Sequence, residues 1–269
     1  MKAAEKHGEK PVVLITGGGT GIGAATARVL AGHGWRVALN YRASRDEAEA
    51  TAAACGNVGT DAITIQGDVA IDADCRRMAD RALSHWGRID GLVNNAGTTR
   101  VVAAADLEGL TAEDFHAAYA TNVVGAYQMT RAVAPAMKRA GQGSVVNVSS
   151  IVGIVGGGSS TAYAASKGAL NTMTLALARA LAPEIRVNAV CPSFVETRWV
   201  TGKMDADQYA RVKAGVEASS PLKRICTADD VAESIAWFIE GGRVVTGEIL
   251  MLDSGIHLFG LGAGYQTNK

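Results

Sequence analysis

The sequence reads Pro11-Val-Val-Leu-Ile15 and then, without a break, Thr16-Gly-Gly-Gly-Thr-Gly-Ile-Gly23, and this stretch decides the fold. The apolar run is typical of a buried parallel strand. The residues after it, Ala24-Ala-Thr-Ala-Arg-Val-Leu-Ala31, favour a helix. A strand, a glycine turn and a helix N-terminus form a cradle for a pyrophosphate, because glycines let the backbone approach it and free N–H groups attract its charge.

Strand-like and helix-like segments alternate along the rest of the chain. The seven predicted strands are Val12–Thr16, Arg36–Asn40, Ala62–Gln66, Gly91–Asn94, Ser144–Val148, Arg186–Val190 and Glu248–Leu252. Such alternation predicts an α/β fold, a doubly wound parallel sheet with helices on both faces. Because the composition does not shift after a polar N-terminal extension over residues 1–10, we expect a single domain over residues 11–269.

Local signals set the ends of several helices. Thr111-Ala-Glu-Asp114 and Thr227-Ala-Asp-Asp230 are typical of capping boxes that open helices. The second box precedes a predicted helix over Val231–Ile239. Pro183 is expected to stop the helix that begins around Tyr163.

Composition narrows the class of protein. The chain has 269 residues, of which 48% are hydrophobic and 19% charged, and its formal net charge is +0. The neutral balance argues against a nucleic-acid partner or an anionic membrane surface. No apolar run approaches the ~18 residues of a membrane span. The polar start lacks the apolar core of a signal peptide, so we expect a cytoplasmic protein.

The residues that most often bind metals are scattered. Cys55, Cys75, Cys191 and Cys226 show no C-x-x-C spacing, so we expect buried, reduced thiols instead of a disulfide or zinc framework. The five histidines are also dispersed along the chain. The sequence therefore predicts no metal site.

A second motif, Tyr163-Ala-Ala-Ser-Lys167, carries chemistry. Positions i and i+4 share a helix face, so the phenol and the ammonium point the same way. A neighbouring ammonium favours the phenolate, so we expect Lys167 to lower the pKa of Tyr163 towards the range of an acid–base catalyst. Ser150 ends the strand-like run Ser144–Ser150, where its hydroxyl can hold a carbonyl oxygen beside the phenol. Together these groups predict hydride chemistry on a carbonyl if a nicotinamide is near.

Seven segments, in order, resemble the short-chain dehydrogenase/reductase family over nearly the whole chain. They are the glycine turn Thr16–Gly23, Asp68-Val69, Asn94-Asn-Ala-Gly97, Asn122, Ser150, the Tyr163/Lys167 pair, and Arg186-Val-Asn188 running to Pro192 and Thr197. The glycine spacing T-G-x-x-x-G-x-G differs from the more general G-x-G-x-x-G. The resemblance, closest to 3-oxoacyl-carrier-protein reductases and carbonyl reductases, implies a single Rossmann-type domain.

The resemblance implies a catalytic tetrad of Asn122, Ser150, Tyr163 and Lys167. In the family, the tyrosine is the general acid in reduction and the base in oxidation, and the lysine holds the nicotinamide ribose. The asparagine's helix site anchors a water that links the lysine to solvent. Ser150 is preferred to Ser149, because only its spacing to Tyr163 matches the family and neighbouring strand-end residues point in opposite directions.

The resemblance also implies a nucleotide site. Its expected residues are Gly17, Thr20, Gly21, Ile22, Gly23, Tyr41, Arg42, Ser44, Asp68, Val69, Asn95, Ala96, Gly97, Tyr163, Lys167, Pro192, Ser193, Val195 and Thr197. Tyr41 stands where NAD enzymes of the family carry an aspartate, and Arg42 with Ser44 and Arg45 suits a 2′-phosphate. NADP(H) is therefore favoured, with NAD(H) left open. Ser193 replaces the family's usual glycine where the nicotinamide packs closely.

The most variable part of the family corresponds to residues 194–220, which we expect to form a lid over the substrate. Trp199, Val200 and Met204 are candidates for its apolar side, and the facing wall is predicted from Val152, Ile154 and Val155, although both sets would also suit a core. These residues favour an apolar carbonyl or alcohol substrate.

The C-terminal tail carries Ile256, Leu258, Phe259 and Leu261, and a free apolar tail is costly in water. With the family's usual assembly, this predicts a homotetramer.

The leading hypothesis is an NADP(H)-dependent oxidoreductase that moves a hydride between nicotinamide and a carbonyl or secondary alcohol. A reductase of 3-oxoacyl thioesters, on carrier protein or coenzyme A, is the close alternative. A catalytically silent protein that senses dinucleotides is the alternative from another class.

Overall fold

The structure, a computed structural model, describes residues 10–197, 199 and 205–259. Its strands are β1 (Val12–Ile15), β2 (Arg36–Tyr41), β3 (Ala62–Gln66), β4 (Gly91–Asn94), β5 (Gly143–Val148), β6 (Ile185–Pro192) and β7 (Ile249–Leu252). All pair in parallel, in the order β3-β2-β1-β4-β5-β6-β7. The predicted seven-stranded, doubly wound sheet in a single domain is confirmed, and each predicted strand matches an observed one to within a residue or two.

Helices connect the strands and cover both faces of the sheet. They are α1 (Gly21–Gly32), α2 (Arg45–Gly56), α3 (Asp72–Trp86), α4 (Ala112–Tyr119), α5 (Ala126–Ala140), α6 (Val152–Val155), α7 (Thr161–Leu181), α8 (Ala206–Ser219) and α9 (Ala228–Glu240). A π-helical turn, Ala120–Gly125, joins α4 to α5, and a 3₁₀ turn, Ile256–Phe259, follows β7.

The core lies in two layers, one on each side of the sheet. Along β1, Val12 and Leu14 pack into one layer, whereas Val13 and Ile15 pack into the other. This alternation follows from the two-residue repeat of a strand. All four side chains are fully buried, which explains why the run is apolar without interruption.

The sequence signals for helix ends are confirmed. In the Thr227 box the Asp230 N–H donates to Thr227 Oγ1 at 3.1 Å, and the Thr227 N–H donates to the Asp230 carboxylate at 2.8 Å. The Thr111 box has both of its reciprocal bonds as well. α9 begins just after Thr227, and α7 ends before Pro183.

The four cysteines are buried and unpaired, as predicted. Among the described residues, no group of three or more histidine, cysteine or carboxylate side chains is placed to hold a metal ion. In the same part of the chain, no helix is both long and apolar enough to cross a membrane.

The strand order fixes where a ligand can bind. The chain runs outward from β1 to β3 and then returns to place β4 on the other side of β1. The connections after β1 and β4 therefore leave the sheet in opposite directions, which opens a crevice at their carboxyl ends.

Candidate active site

A cavity of about 860 Å³ opens at this crevice and continues along the carboxyl ends of β1 to β6. Eighteen of the nineteen predicted nucleotide-site positions supply its walls; Gly23 is the exception, because it lies beneath the turn. The cavity is thus shared by residues from the glycine turn, the ends of β2, β3 and β4, and the segment after β6.

The glycine turn needs its glycines for two different reasons. Gly17 and Gly21 have φ of +61° and +54°, a left-handed conformation that side chains disfavour. At Gly23 the limit is space, since a Cβ there would lie 2.4 Å from the Gly17 carbonyl oxygen. The backbone of the turn can therefore lie close to a ligand in the cavity, with no side chain between them.

Thr16 ties the glycine turn to the end of β4. Its Oγ1 accepts the N–H groups of Asn95 and Ala96, each at 3.0 Å. In return, Asn95 Nδ2 donates to the carbonyl oxygens of Thr16 and Gly17 at 3.0 and 2.9 Å. The two sides of the crevice are thereby held at a fixed separation. Thr16 was not among the predicted site residues, although it opens the glycine motif.

Asn40, near the end of β2, was also missed. Its Oδ1 accepts from the Gly17 N–H at 3.3 Å, and its Nδ2 donates to the Gly67 carbonyl at 2.9 Å. The side chain is buried and joins β2 and β3 to the glycine turn. A buried amide inside an apolar strand was the available signal, because such a group requires partners.

Tyr41, Arg42, Ser44, Asp68 and Val69 form the cavity end beyond β2 and β3. Arg42 is largely exposed and lies 3.6 Å from the Asp68 carboxylate, which also accepts the Ala70 N–H at 2.9 Å. The Asp68 carboxylate thus stabilises the turn that follows β3 and also faces the cavity. Arg45 is exposed as well, but it does not line the cavity.

The segment after β6 returns across the cavity to the glycine turn. Thr197 lies against Gly21, 3.4 Å from the position of a Cβ on that glycine. Ser193 is fixed by its N–H, which donates to the Leu252 carbonyl at 2.9 Å. Its hydroxyl is fully buried and lies beside the Cys226 thiol.

Ser150 and Tyr163 face each other at the cavity wall, one after β5 and the other in the first turn of α7. Ser150 Oγ donates to the Pro192 carbonyl at 3.3 Å and also interacts with the phenol. Ser149 points the other way and donates to the Lys167 carbonyl at 3.1 Å. The structure thus places the hydroxyl of Ser150, and not that of Ser149, beside the phenol.

Burial dominates the electrostatics of the Tyr163–Lys167 pair. It raises the pKa of Tyr163 to about 12, although hydrogen bonding to Ser150 opposes the shift, and it lowers the pKa of Lys167 to about 8. The expectation that Lys167 lowers the pKa of the phenol is therefore wrong. The Lys167 Nζ lies 5.6 Å from the Tyr163 ring centroid, and the ammonium is itself penalised by burial.

Asn122 lies behind the cavity wall, in the π-helical turn. Its Oδ1 accepts the Thr98 N–H at 2.8 Å, and its Nδ2 donates to the Thr98 carbonyl at 3.0 Å and to Ser166 Oγ at 2.9 Å. Ser166 Oγ then donates to the Tyr163 carbonyl at 2.7 Å. Ser166 was missed by the sequence analysis, although it directly precedes Lys167. It links Asn122 to the helix that carries the pair.

Gly97 separates Asn122 from Lys167. A Cβ on Gly97 would lie 3.4 Å from Asn122 Oδ1 and 3.9 Å from Lys167 Nζ. The Nζ donates to the Val148 carbonyl at 2.7 Å. The four residues predicted as a catalytic tetrad therefore lie around the ends of β4 and β5.

The remaining end of the cavity is mostly apolar. The ring centroids of Trp199 and Tyr163 are 6.3 Å apart, and Val152 lines the wall as predicted. Ile154 and Val155 do not line it; they are exposed, because α6 is a single turn that presents only one face to the cavity. The predicted lid residues Val200 and Met204 lie outside the described residues.

Two further contributors to this end were not expected. α8 supplies Val212 and Val216, and the turn after β7 supplies Ile256. Leu258, in the same turn as Ile256, is exposed. Leu261 of the tail and residues 1–9 of the predicted N-terminal extension lie outside the described residues.

Comparisons with known proteins agree with this architecture. A family model described as enoyl-(acyl carrier protein) reductase matches residues 17–257. A Streptomyces violaceoruber protein, named as ketoacyl reductase 2 of the granaticin polyketide synthase, is 42% identical over 250 residues, which are 93% of this chain and 97% of the relative. The 3-oxoacyl-[acyl-carrier-protein] reductase FabG of Staphylococcus epidermidis is 32% identical over 247 residues, covering 91% and 98%.

A solved structure from Burkholderia xenovorans, named as a short-chain dehydrogenase/reductase, has 41% sequence identity and a TM-score of 0.86. The match covers 94% of this chain and 100% of that one. Sequence, topology and cavity thus agree over almost the full length, and the chain belongs to the short-chain dehydrogenase/reductase family of oxidoreductases.

Proposed function

We propose that the protein is an NADP(H)-dependent carbonyl reductase that works through Ser150, Tyr163, Lys167 and Asn122. The family to which it belongs uses nicotinamide dinucleotides and acts on small molecules. The observation that carries the proposal is the pairing of the Ser150 hydroxyl with the Tyr163 phenol at the wall of an apolar cavity.

The residues present fit a dinucleotide. A bare glycine turn lies before the N-terminus of α1, and the cavity runs from there to the phenol. Gly17 and Gly21, with the first N–H groups of α1, would hold the pyrophosphate, and Lys167 would hold the nicotinamide ribose. When bound, the nucleotide supplies or accepts the hydride.

The proton is managed by the protein's own side chains. With a pKa raised to about 12 by burial, Tyr163 is protonated at neutral pH, which is the form a reductase needs to donate a proton to a carbonyl oxygen. Ser150 would donate a hydrogen bond to the same oxygen and so fix its position. Polarisation of the oxygen by two donors stabilises the negative charge that develops there.

Lys167 and Asn122 would resupply the proton. Lys167 is 4% exposed, so it needs an internal route to water. We propose that a water held at the π-helical turn of Asn122 provides that route. The bonds from Asn122 to Thr98 and Ser166 support this role, because they hold the turn beside the lysine.

Preference for NADP(H) over NAD(H) is proposed from Arg42 and Ser44. Both line the cavity end beyond β2, where Asp68, which follows β3, is the only acidic residue among the described residues that line the cavity. A guanidinium pairs well with a phosphate. Its contact with Asp68 is long and exposed, so it contributes little and can be exchanged for the phosphate.

A reductase of 3-oxoacyl thioesters is the second candidate. It is favoured by the relatives, since the Streptomyces violaceoruber and Staphylococcus epidermidis proteins carry ketoacyl and 3-oxoacyl reductase names. Both candidates share the same chemistry and differ in whether the ketone is free or carried on pantetheine. A higher kcat/KM for a pantetheine-linked substrate than for any free ketone would identify the protein as a thioester reductase.

The test is oxidation of NADPH and NADH, side by side, with ketones, diketones, quinones and 3-oxoacyl thioesters. We expect turnover with a kcat/KM for NADPH about tenfold or more above that for NADH. Arg42→Ala should remove that preference, and Arg45→Ala, outside the cavity, should leave it in place. No turnover with either nucleotide would support the silent dinucleotide-sensing alternative.

We also propose a cytoplasmic homotetramer. The exposed apolar side chains Leu175, Trp237 and Val244 support an assembly, as does the free edge of β7. Free buried cysteines suit a reducing compartment. Light scattering should give four times the monomer mass at micromolar concentration, and a monomer would contradict the assembly.

A further inference from the structure

The turn that follows β7, residues 253–257, is held by a buried carboxylate. Asp253 is 3% exposed, and its carboxylate accepts the N–H groups of Gly255 at 2.9 Å and His257 at 2.8 Å. The His257 ring adds a third bond from Nδ1 at 2.7 Å. One buried carboxylate therefore fixes both the backbone of the turn and the side chain at its end.

The same turn is joined to the segment that follows the lid helix α8. The Leu222 N–H donates to the Ser254 carbonyl at 3.2 Å, and a Cβ on Gly255 would lie 2.8 Å from the Pro221 ring. Ser254 and Lys223, on the two sides of this junction, have φ of +56° and +52°. They are the non-glycine residues with positive φ in the described part of the chain. Such strain persists where the surroundings impose it, and it clusters at functional sites.

Ile256 projects from this turn into the cavity. β7 is the edge strand opposite β3, so Ile256 lies far from Arg42 and Asp68 at the other end. It shares the apolar end with Val212 and Val216 of α8, whose position depends on the same junction.

We propose that the turn over residues 253–257 determines substrate specificity. Ile256 is a wall of the substrate end, and Asp253 and His257 are positioning residues that hold Ile256 and the end of α8 in place. The inference rests on the proposed carbonyl reductase function and adds to it the residue that limits the size of the ketone's substituent.

Packing of the cavity wall sets the size of the expected change in substrate selectivity. A methylene group in an apolar pocket changes kcat/KM by about tenfold or more, because the cavity wall cannot collapse around a smaller ligand or expand around a larger one. A wall side chain that is fixed by a buried carboxylate discriminates better than one on a free loop, since it cannot move aside.

The test compares kcat/KM for a series of methyl ketones from butanone to octanone with NADPH. Ile256→Ala should raise the octanone-to-butanone ratio about tenfold, and Ile256→Phe should lower it by a similar factor. Leu258→Ala, two residues further along the 3₁₀ turn and exposed, is the matched control and should leave the ratio unchanged.

An unchanged ratio in both Ile256 variants, with normal turnover of butanone, would overturn the inference and leave the proposed function intact. No turnover of any ketone or thioester by the unmodified protein would overturn the proposed function and the inference with it.

The positioning role has its own measurement. His257→Leu should raise KM for octanone several-fold while kcat for butanone stays the same, because the wall shifts and the proton donors do not. His257→Asn keeps a donor for Asp253 and should restore the KM. If His257→Leu lowers kcat for both ketones equally, His257 is only structural.

Discussion

The two ends of the cavity are built differently. The centre of the nucleotide end uses backbone groups from one continuous stretch, the glycine turn, braced by Thr16 and Asn95, and side chains that follow β2 and β3 extend it. The substrate end uses side chains from four distant segments, which contribute Val152, Trp199, Val216 and Ile256. The glycine turn at the centre of the first end is a local structure, whereas the second end exists only once the whole chain has folded.

This difference in construction separates binding of the nucleotide from selection of the substrate. Backbone N–H groups recognise a phosphate whatever side chains surround them, so the nucleotide end can stay constant while the other end changes. An apolar wall discriminates by shape alone, so each substitution there changes which substrate fits. The variants below test that separation, beginning with the largest expected effect.

Tyr163 lies where the two ends of the cavity meet. Tyr163→Phe should therefore keep nucleotide binding and lose the proton transfer to the substrate. Loss of the proton donor should lower kcat by about 10²–10⁴-fold. The Kd for NADPH should stay within about threefold, because the ring and its packing are kept. Fluorescence titration of NADPH measures the binding, and steady-state reduction measures kcat.

Tyr127→Phe, at an exposed tyrosine of α5, is the matched control and should behave as the unmodified protein. Near-normal turnover by Tyr163→Phe would remove the phenol from the mechanism.

The difference between the ends also explains what the sequence could predict. The strands, the glycine turn and the Tyr163/Lys167 pair follow from local patterns, and the structure has them at the expected places. Ile154 and Val155 were assigned to the wall because they are apolar and close to Ser150, but a single helical turn cannot face both ways. Ile256 could not be assigned, since its place depends on β7 pairing with β6.

The electrostatics of the pair were misjudged for a similar reason. Charge proximity between Tyr163 and Lys167 can be read from their spacing, whereas desolvation depends on everything packed around them. Burial raises the pKa of the phenol and lowers that of the ammonium, and it is the largest cause of each shift.

Gly23→Ala should weaken nucleotide binding and leave the substrate end of the cavity unchanged. The new Cβ would meet the Gly17 carbonyl oxygen at 2.4 Å and Asn95 Nδ2 at 2.6 Å, so the turn and its brace must shift. Overpacking of this kind costs about 1–3 kcal/mol, which predicts a Kd for NADPH raised by roughly ten- to a hundredfold.

Gly32→Ala provides the matched control in the same helix, because its Cβ meets nothing within 4 Å. It should leave the Kd unchanged. Equal affinity of the Gly23 and Gly32 variants in the same titration would show that the cradle is looser than its geometry implies.

A pH profile tests Lys167, which serves both ends. Its pKa is lowered to about 8 by burial, so the ammonium is present below that pH and lost above it. Because kcat/KM for NADPH reports the free enzyme, it should be level below pH about 8 and fall by about tenfold for each further unit. Lys167→Met should have a low, flat profile. A plateau that continues to pH about 10 would contradict the assignment.

Ser166→Ala should give the smallest effect, because Ser166 touches neither end of the cavity. Its hydroxyl joins Asn122 to the Tyr163 carbonyl, so its loss leaves the buried amide with one partner fewer. A lost buried hydrogen bond costs about 1 kcal/mol, which predicts a roughly fivefold lower kcat if the bond holds the proton route in place. The Kd for NADPH and the ketone selectivity should not change.

Ser166→Thr keeps the hydroxyl and should retain more of the activity than Ser166→Ala. A solvent deuterium isotope effect on kcat distinguishes the roles of the residue. If Asn122 positions a proton-carrying water, loosening it should make proton resupply more rate-limiting and raise the isotope effect. A lower melting temperature with an unchanged isotope effect would mean that Ser166 stabilises α7 and has no part in the relay. In that case the nucleotide and substrate ends of the cavity would be linked through Lys167 alone.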